Sequence, residues 1–283
     1  SVPLAITSKM FGLGISRMKK NSTNGMDSAS SSQDGTQWAR QPKAPIIMST
    51  VDNLQVLYED NHLIAVNKRS SDIVQSDASG DITLCQVVGE YVKRKYNKPG
   101  DAFIGTVHRL DRPVSGVILY ARTTKALSRL SNMFRLRDMQ KTYWAVTRPG
   151  PSPAEGHIVN FLEKNIKTNK SFASDFDGPN KKQSELTYRT VGRSDHYTFV
   201  EVQPKTGRHH QIRATLASLG SPIKGDIKYG ARRTNDNASI HLHARRIEFI
   251  HPVRKTPLSI LAPPPEDPVW NEWLRIEVGL AEP

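Results

Sequence analysis

Apolar positions along this 283-residue chain follow two periods. Short apolar runs bounded by turn residues predict strands at 54–58, 62–67, 103–107, 116–122, 142–147, 185–191, 197–203, 240–250 and 258–261. Apolar residues at helical spacing predict helices over 82–96, 124–137, 209–219 and 269–276. In the second of these, Leu127, Leu130, Met133 and Phe134 form one stripe. Strands interleaved with a few helices, and hairpins such as 185–203, predict an α+β fold. The expected architecture is a single domain on a mixed, largely antiparallel sheet, with flanking helices and a central cleft. Segment 163–183 is polar and is expected to be a mobile insertion. No internal repeat is visible.

The first 50 residues break the pattern. They are rich in Ser, Asn, Gly and Gln and poor in paired apolar positions, which predicts a disordered tail and a domain spanning 51–283. Lys9, Arg17, Lys19 and Lys20 all precede the first acidic residue, Asp27. That composition suits an organellar transit peptide, for mitochondrion or plastid, and equally a plain basic tail on a cytoplasmic protein. A start at Ser1 rather than Met leads us to expect that the natural N-terminus lies upstream. No apolar stretch reaches membrane-spanning length.

Charge narrows the partner. The chain holds 40 Lys/Arg against 27 Asp/Glu, and six and two of these fall in residues 1–50. The basic excess therefore belongs to the domain as well as the tail, and it suits a polyanion such as RNA. Clusters such as Lys93-Arg94-Lys95, Lys181-Lys182 and Arg245-Arg246 are, one by one, ordinary solvated faces.

Two segments carry candidate chemistry. In His108-Arg109-Leu110-Asp111-Arg112-Pro113-Val114-Ser115-Gly116, a carboxylate sits in a tight turn between two apolar runs, bracketed by arginines. In Lys205-Thr206-Gly207-Arg208-His209-His210-Gln211-Ile212-Arg213, Arg213 lies on the shoulder of a helix whose buried face is Ile212, Leu216 and Leu219. An arginine there must reach water or meet an anion. Asp111 is one candidate anion; another carboxylate is the alternative.

Together the two segments resemble the signature of RluA-type RNA pseudouridine synthases. So do Gly220-Ser221-Pro222-Ile223-Lys224-Gly225-Asp226 with Tyr229-Gly230, Lys141-Thr142-Tyr143-Trp144-Ala145-Val146, and Asn67-Lys68 after an apolar run. The ordered set spans roughly residues 52–262. The resemblance implies the pseudouridine synthase fold and cofactor-free, metal-free isomerisation of uridine in rRNA or tRNA. It places the catalytic carboxylate on Asp111, a tyrosine near the target base on Tyr143, and the arginine paired with the carboxylate on Arg213. Arg109 would fill the base stack when the uridine flips out. His108, Lys205, Arg208, His210 and Lys224 are expected to contact substrate, with Lys228 beside them. The chain departs from the family pattern at Val114, where threonine is common, and in the altered loop Arg69-Ser70-Ser71-Asp72. No S4-type RNA-binding segment precedes the domain within this chain.

The chemistry suits these residue types. Uridine isomerisation breaks one glycosidic bond and remakes it through carbon. It therefore needs an anion, as nucleophile or proton acceptor, and a base extruded from its stack. The nearest rival is a catalytically silent RNA-binding protein of the same fold, which would lack Asp111, Tyr143 or Arg213. A phosphotransferase would need a phosphate-cradling glycine loop, and none is present. His209 and His210 are adjacent and expected to point different ways, while His241 and His243 share one strand face. Neither pair has structural-zinc spacing, so polar or RNA contacts are expected. Cys85 is expected in the core, unable to form an intrachain disulfide. A monomer is the default expectation.

Overall fold

Two strands buried along their whole length organise the domain. The computed structural model describes residues 44–76 and 79–281. Every residue of β2 (Leu63–Lys68) and β4 (Ser115–Ala121) is buried. The reason is helices on both faces. Leu63, Ala65, Val117 and Leu119 pack with α2 (Thr124–Leu136), and Ile64, Val66, Ile118 and Tyr120 pack with α1 (Leu84–Lys95). Alternate residues of a strand point to opposite faces, so continuous apolar runs are what a doubly covered sheet requires. Both helices start where the sequence supplies a cap, Thr83 with Gln86 in a capping box and Thr123 accepting from Ala126 N–H.

The remaining strands are β1 (Val56–Glu59), β3 (Gly105–Thr106), β5 (Gln140–Thr147), β6 (Glu155–Asn165), β7 (Lys170–Ser174), β8 (Lys181–Arg193), β9 (Thr198–Pro204), β10 (Leu242–Ile250) and β11 (Pro257–Leu261). They form one sheet in the order β1-β2-β4-β10-β5-β9-β8-β6-β7, with β11 on β10 and β3 on β4. All pairings are antiparallel except β10 with β4. The expected α+β architecture is therefore present. The helix α4 (Pro268–Ala281) covers β5 and β9 through stacked Trp270, Trp273 and Trp144.

The sequence pattern missed β6 and β7. Residues 163–183 are not a loop: most of them belong to a long antiparallel ribbon in which β6 pairs β7 and β8. Only Asn160 and Leu162 of β6 are buried, so the strand shows little apolar alternation. The ribbon is nonetheless tied to the body. Leu162 and Ala173 pack with Ala214, Ala217 and Tyr229, joining it to α3 (Gln211–Ser218).

Up to residue 43 the expected disordered tail and transit peptide lie outside the described residues. Residues 44–50, expected to belong to that tail, are fastened to the domain. Ala44 N–H donates to Asp236 O (3.1 Å), and Ser49 donates its N–H and hydroxyl to buried Asp72 (2.7 and 2.6 Å).

Candidate active site

The loop carrying Asp111 is held carbonyl by carbonyl. Asp111 O accepts from Val114 N–H (3.0 Å), Arg112 O from Ser71 N–H (2.8 Å) and Pro113 O from Ile240 N–H (3.1 Å). The Lys68 ammonium, 1% exposed, donates to Arg69 O, Arg112 O and Val114 O at 3.0, 3.1 and 2.7 Å. Burial pushes Lys68 down to about 7, against the pull of Asp72 and Asp111. Leu110 and Val114 anchor the loop in the core on either side. The turn thus has little freedom, and Asp111 projects from a rigid frame.

Gly116 sets the register beyond the loop. It pairs with Ala244 across the parallel β4–β10 contact, with φ +121; a Cβ there would lie 2.3 Å from Ala244 O. The opposite edge of Ala244 pairs with Tyr143 on β5. One residue of β10 therefore fixes the spacing between the Asp111 loop and Tyr143.

Arg213 arrives from α3. Its Nη1 donates to Asp111 Oδ2 at 3.1 Å, while its Nε and Nη2 grip Asp226 Oδ2 and Oδ1 at 2.7 and 2.9 Å. Burial pulls the guanidinium pKa down, but the bonds and charge of Asp226, with those of Asp111, more than reverse this. Both alternatives left by the sequence are realised, since Arg213 meets Asp111 and a second carboxylate. Asp226 was visible only as a motif residue, 13 positions after Arg213.

Asp111, Tyr143 and Arg213 line one cavity of about 580 Å³. Burial first, then the charge of Asp111, pushes the Tyr143 phenol above its ordinary value, so it stays protonated. Arg109, exposed, stands on the wall with Nη1 3.5 Å from Gln75 Oε1. Lys205 and Arg208 also line the cavity, and Arg208 Nε donates to Gln183 O (2.9 Å), binding it to the ribbon. Arg135, Arg137 and Lys141 complete a basic wall, of which the sequence offered only Lys141, as a motif residue without an assigned role. Lys141 shares the face of Tyr143, two residues along the same strand, a period-two signal present in the sequence.

Several expected contacts need correction. Lys224 is not on the cavity wall: its Nζ donates to Asn235 Oδ1 (2.6 Å) and lies over the Tyr197 ring (5.7 Å). Its backbone explains this, because Lys224 N–H donates to Val146 O and its carbonyl accepts from His241 N–H, which fixes it beside the α4 side of the sheet. Lys228 donates to Thr168 O and Asn169 O instead, at the tip between β6 and β7. His108 does line the cavity, but as a neutral wall. Its Nε2 accepts from Leu119 N–H (2.8 Å), its ring stacks on Phe134 (4.8 Å), and burial, then Lys141, pushes it down to about 3. His209 and His210 do not diverge: their rings stack at 3.7 Å because His210 adopts φ 53. His241 is held by Asp267 (2.9 Å), and His243 lies between Ser115 Oγ and Ala262 O (2.9 and 3.0 Å). Among the described residues no group of three or more His, Cys, Asp or Glu is placed to hold a metal. Cys85 is half-buried against the α1 core.

Residues 62–218 match the RNA pseudouridylate synthase family. The chain belongs to that family. It is 32% identical over 238 residues to tRNA pseudouridine synthase C of Pectobacterium carotovorum, covering 76% of this chain and 60% of that one. It is 33% identical over 214 residues to ribosomal large subunit pseudouridine synthase C of Vibrio cholerae, covering 74% and 65%. Against tRNA pseudouridine synthase C of Salmonella typhimurium it is 33% identical over 230 residues, covering 74% and 85%. The chain thus spans under two thirds of the first two relatives. The fold is shared with human RNA pseudouridylate synthase domain containing 4, at TM-score 0.64 and 22% identity, covering 78% of this chain and 92% of that one. It is also shared with human RNA pseudouridylate synthase domain containing 1, at TM-score 0.62 and 24% identity, covering 80% and 89%.

Proposed function

We propose that this protein isomerises uridine to pseudouridine in rRNA or tRNA, without a cofactor, at Asp111. One observation carries the reading: a carboxylate on a rigid turn, paired with Arg213 at 3.1 Å, shares a cavity with a protonated tyrosine. A cavity of about 580 Å³ suits a nucleoside taken out of its stack. The reaction breaks C1′–N1, forms C1′–C5, releases the C5 proton and protonates N1. Asp111 supplies the anion for this exchange, while Arg213 keeps its carboxylate oriented through a charge-assisted bond. Tyr143, on β5 beyond β10, faces the uracil ring as a hydrogen-bond donor or stacking surface. Arg109 on the exposed wall has the planar shape to replace the extruded base in the stack. Lys205, Arg208 and the Arg135–Lys141 wall offer phosphate contacts that position the strand without reading its sequence.

Relatives named for rRNA and for tRNA both support RNA as the substrate class. The test is tritium release from RNA carrying [5-³H]uridine, since only carbon–carbon joining expels that hydrogen. Multiple turnovers of release by the wild-type protein are expected. No release from rRNA or tRNA transcripts of any sequence would overturn the reading.

A further inference from the structure

We propose that His210 is a positioning residue for Asp111, set in its Nε2–H tautomer by the Tyr229 hydroxyl. The inference rests on Asp111 being the catalytic carboxylate.

The contacts form one chain. Ser171 N–H, on β7, donates to Tyr229 Oη at 2.8 Å. Tyr229 Oη lies 2.9 Å from His210 Nδ1. His210 Nε2 lies 3.6 Å from Asp111 Oδ2. Each link constrains the next. Tyr229 owns one hydroxyl proton, and one lone pair of its oxygen is taken by Ser171. If His210 carried its proton on Nδ1, the Tyr229 proton would have no acceptor among the described residues. The bare Nε2 lone pair would also face a carboxylate. If Tyr229 donates to Nδ1, every group is satisfied and an N–H dipole faces Asp111. The imidazolium form is opposed by burial, which pushes His210 down to about 3 despite the pull of Asp111.

Backbone geometry builds this arrangement. His210 precedes α3 with φ 53, a left-handed conformation uncommon for a residue with a side chain. It is the N-cap of α3, but its side chain makes no cap hydrogen bond there. The turn instead stacks its ring on His209 and sets it edge-on to Tyr229, at 5.6 Å and 79°. His209 is fixed in the opposite sense. Ser171 Oγ donates to His209 O (2.8 Å), so His209 Nδ1, also 2.8 Å from Ser171 Oγ, must bear the proton. Two stacked histidines thus hold opposite tautomers, each dictated by β7.

The consequence falls on one oxygen. Arg213 and His210 both address Asp111 Oδ2, at 3.1 and 3.6 Å. Asp111 Oδ1 has no protein partner among the described residues. At 3.6 Å the His210 contact is a charge–dipole interaction rather than a hydrogen bond. Together the two donors fix which carboxylate oxygen is held and which is left for the nucleoside. They also couple the ribbon to the carboxylate, since the relay begins at a β7 amide.

The test uses the full chain labelled with imidazole-¹⁵N histidine, with two-bond ¹⁵N–¹H spectra at pH 7. His209 and His210 are assigned by the signals lost in His209→Gln and His210→Gln. His210 is expected as the neutral Nε2–H tautomer and His209 as Nδ1–H. In Tyr229→Phe, which keeps the ring over Arg213 (5.1 Å), His210 should become a mixture of tautomers. The rate constant for tritium release should fall about tenfold at unchanged KM. His210→Gln, which keeps an N–H donor, should retain more activity than His210→Ala. A wild-type His210 found as Nδ1–H or charged, or a Tyr229→Phe protein with wild-type kcat, would overturn the proposal. Wild-type turnover by Asp111→Asn would instead sink the functional reading, leaving the tautomer assignment standing on its own spectra.

Discussion

Arg213 gives two of its hydrogen bonds to Asp226 and one to Asp111. The buried carboxylate, 1% exposed, is thus the anchor, and the half-exposed one is the group presented. Without Asp226 a buried guanidinium would lose its main partner, while Asp111 would keep a mobile one. Asp226→Ala is expected to destabilise the fold by about 3–5 kcal/mol, read as a lower urea midpoint. It should also slow tritium release. A variant as stable as wild type would show that the anchor is not where the geometry puts it.

Asp111→Asn keeps the shape of the side chain and removes its charge. The loop frame does not use the carboxylate, since its bonds run through backbone carbonyls and Lys68. The variant is therefore expected to fold and bind RNA like wild type, with no measurable turnover. Filter binding and tritium release on the same preparation separate the two properties.

Gly116→Ala tests the spacing between the loop and Tyr143. The added methyl would meet Ala244 backbone atoms at 2.3–2.7 Å and would sit at φ +121. Neither strand can give way, because β4 is packed between two helices and β10 is paired on both edges. A loss of about 3 kcal/mol or more is expected, or no soluble protein. Thermal unfolding of the variant beside wild type checks it.

What could be read in advance follows from how each feature is encoded. The doubly covered strands β2 and β4 announce themselves as unbroken apolar runs, and α2 as a stripe ending in Phe134. Asp111 and Arg213 were recognisable because motif residues surround both, although 102 positions separate them. The ribbon was not legible, because Gly156 and Asn160 stand on the covered face of β6 while Val159 stands on the exposed one, so burial alternates but hydropathy does not. Lys224 was placed by sequence proximity to the motif, yet Gly225 at φ +88 turns the chain between it and Asp226. Lys224 is held by Asn235 and Asp226 by Arg213. The stacking of His209 on His210 depends on one left-handed residue that no glycine marks. Tertiary partners of this kind are chosen by the assembled fold, not by local pattern.

Acid should weaken the fold through its neutral histidines. Burial pushes His243 down to about 4, below the ordinary 6.5 that it regains on unfolding. The unfolded chain then binds more protons below pH 6.5, so stability falls as pH drops from 6.5 toward 4. His243 is fully buried and accounts for about 2 kcal/mol of this by pH 5. His108, pushed to about 3, acts in the same direction. Urea unfolding at pH 7 and pH 5 measures the sum. Replacing His243 by Gln should reduce the difference, and an unchanged difference would show that His243 is not buried neutral.

Lys68 predicts the opposite end of the pH range. Its folded value of about 7 lies below the ordinary 10.5, so between these limits the unfolded chain again binds more protons. Stability from this residue is therefore lowest below pH 7 and rises through pH 9, by roughly 2 kcal/mol. Lys68→Met keeps the stem and its packing but leaves Val114 O, held in the native protein at 2.7 Å, without its donor. That loss should cost about 1–3 kcal/mol at pH 9 and less at pH 6.5, where the wild type is itself penalised for burying the charge. The variant should also turn over more slowly at every pH, because the Asp111 turn loses its central tie. Paired urea titrations at the two pH values decide it. A wild-type-minus-variant difference that does not grow with pH would mean that Lys68 stays charged in the folded protein, held by its three carbonyls.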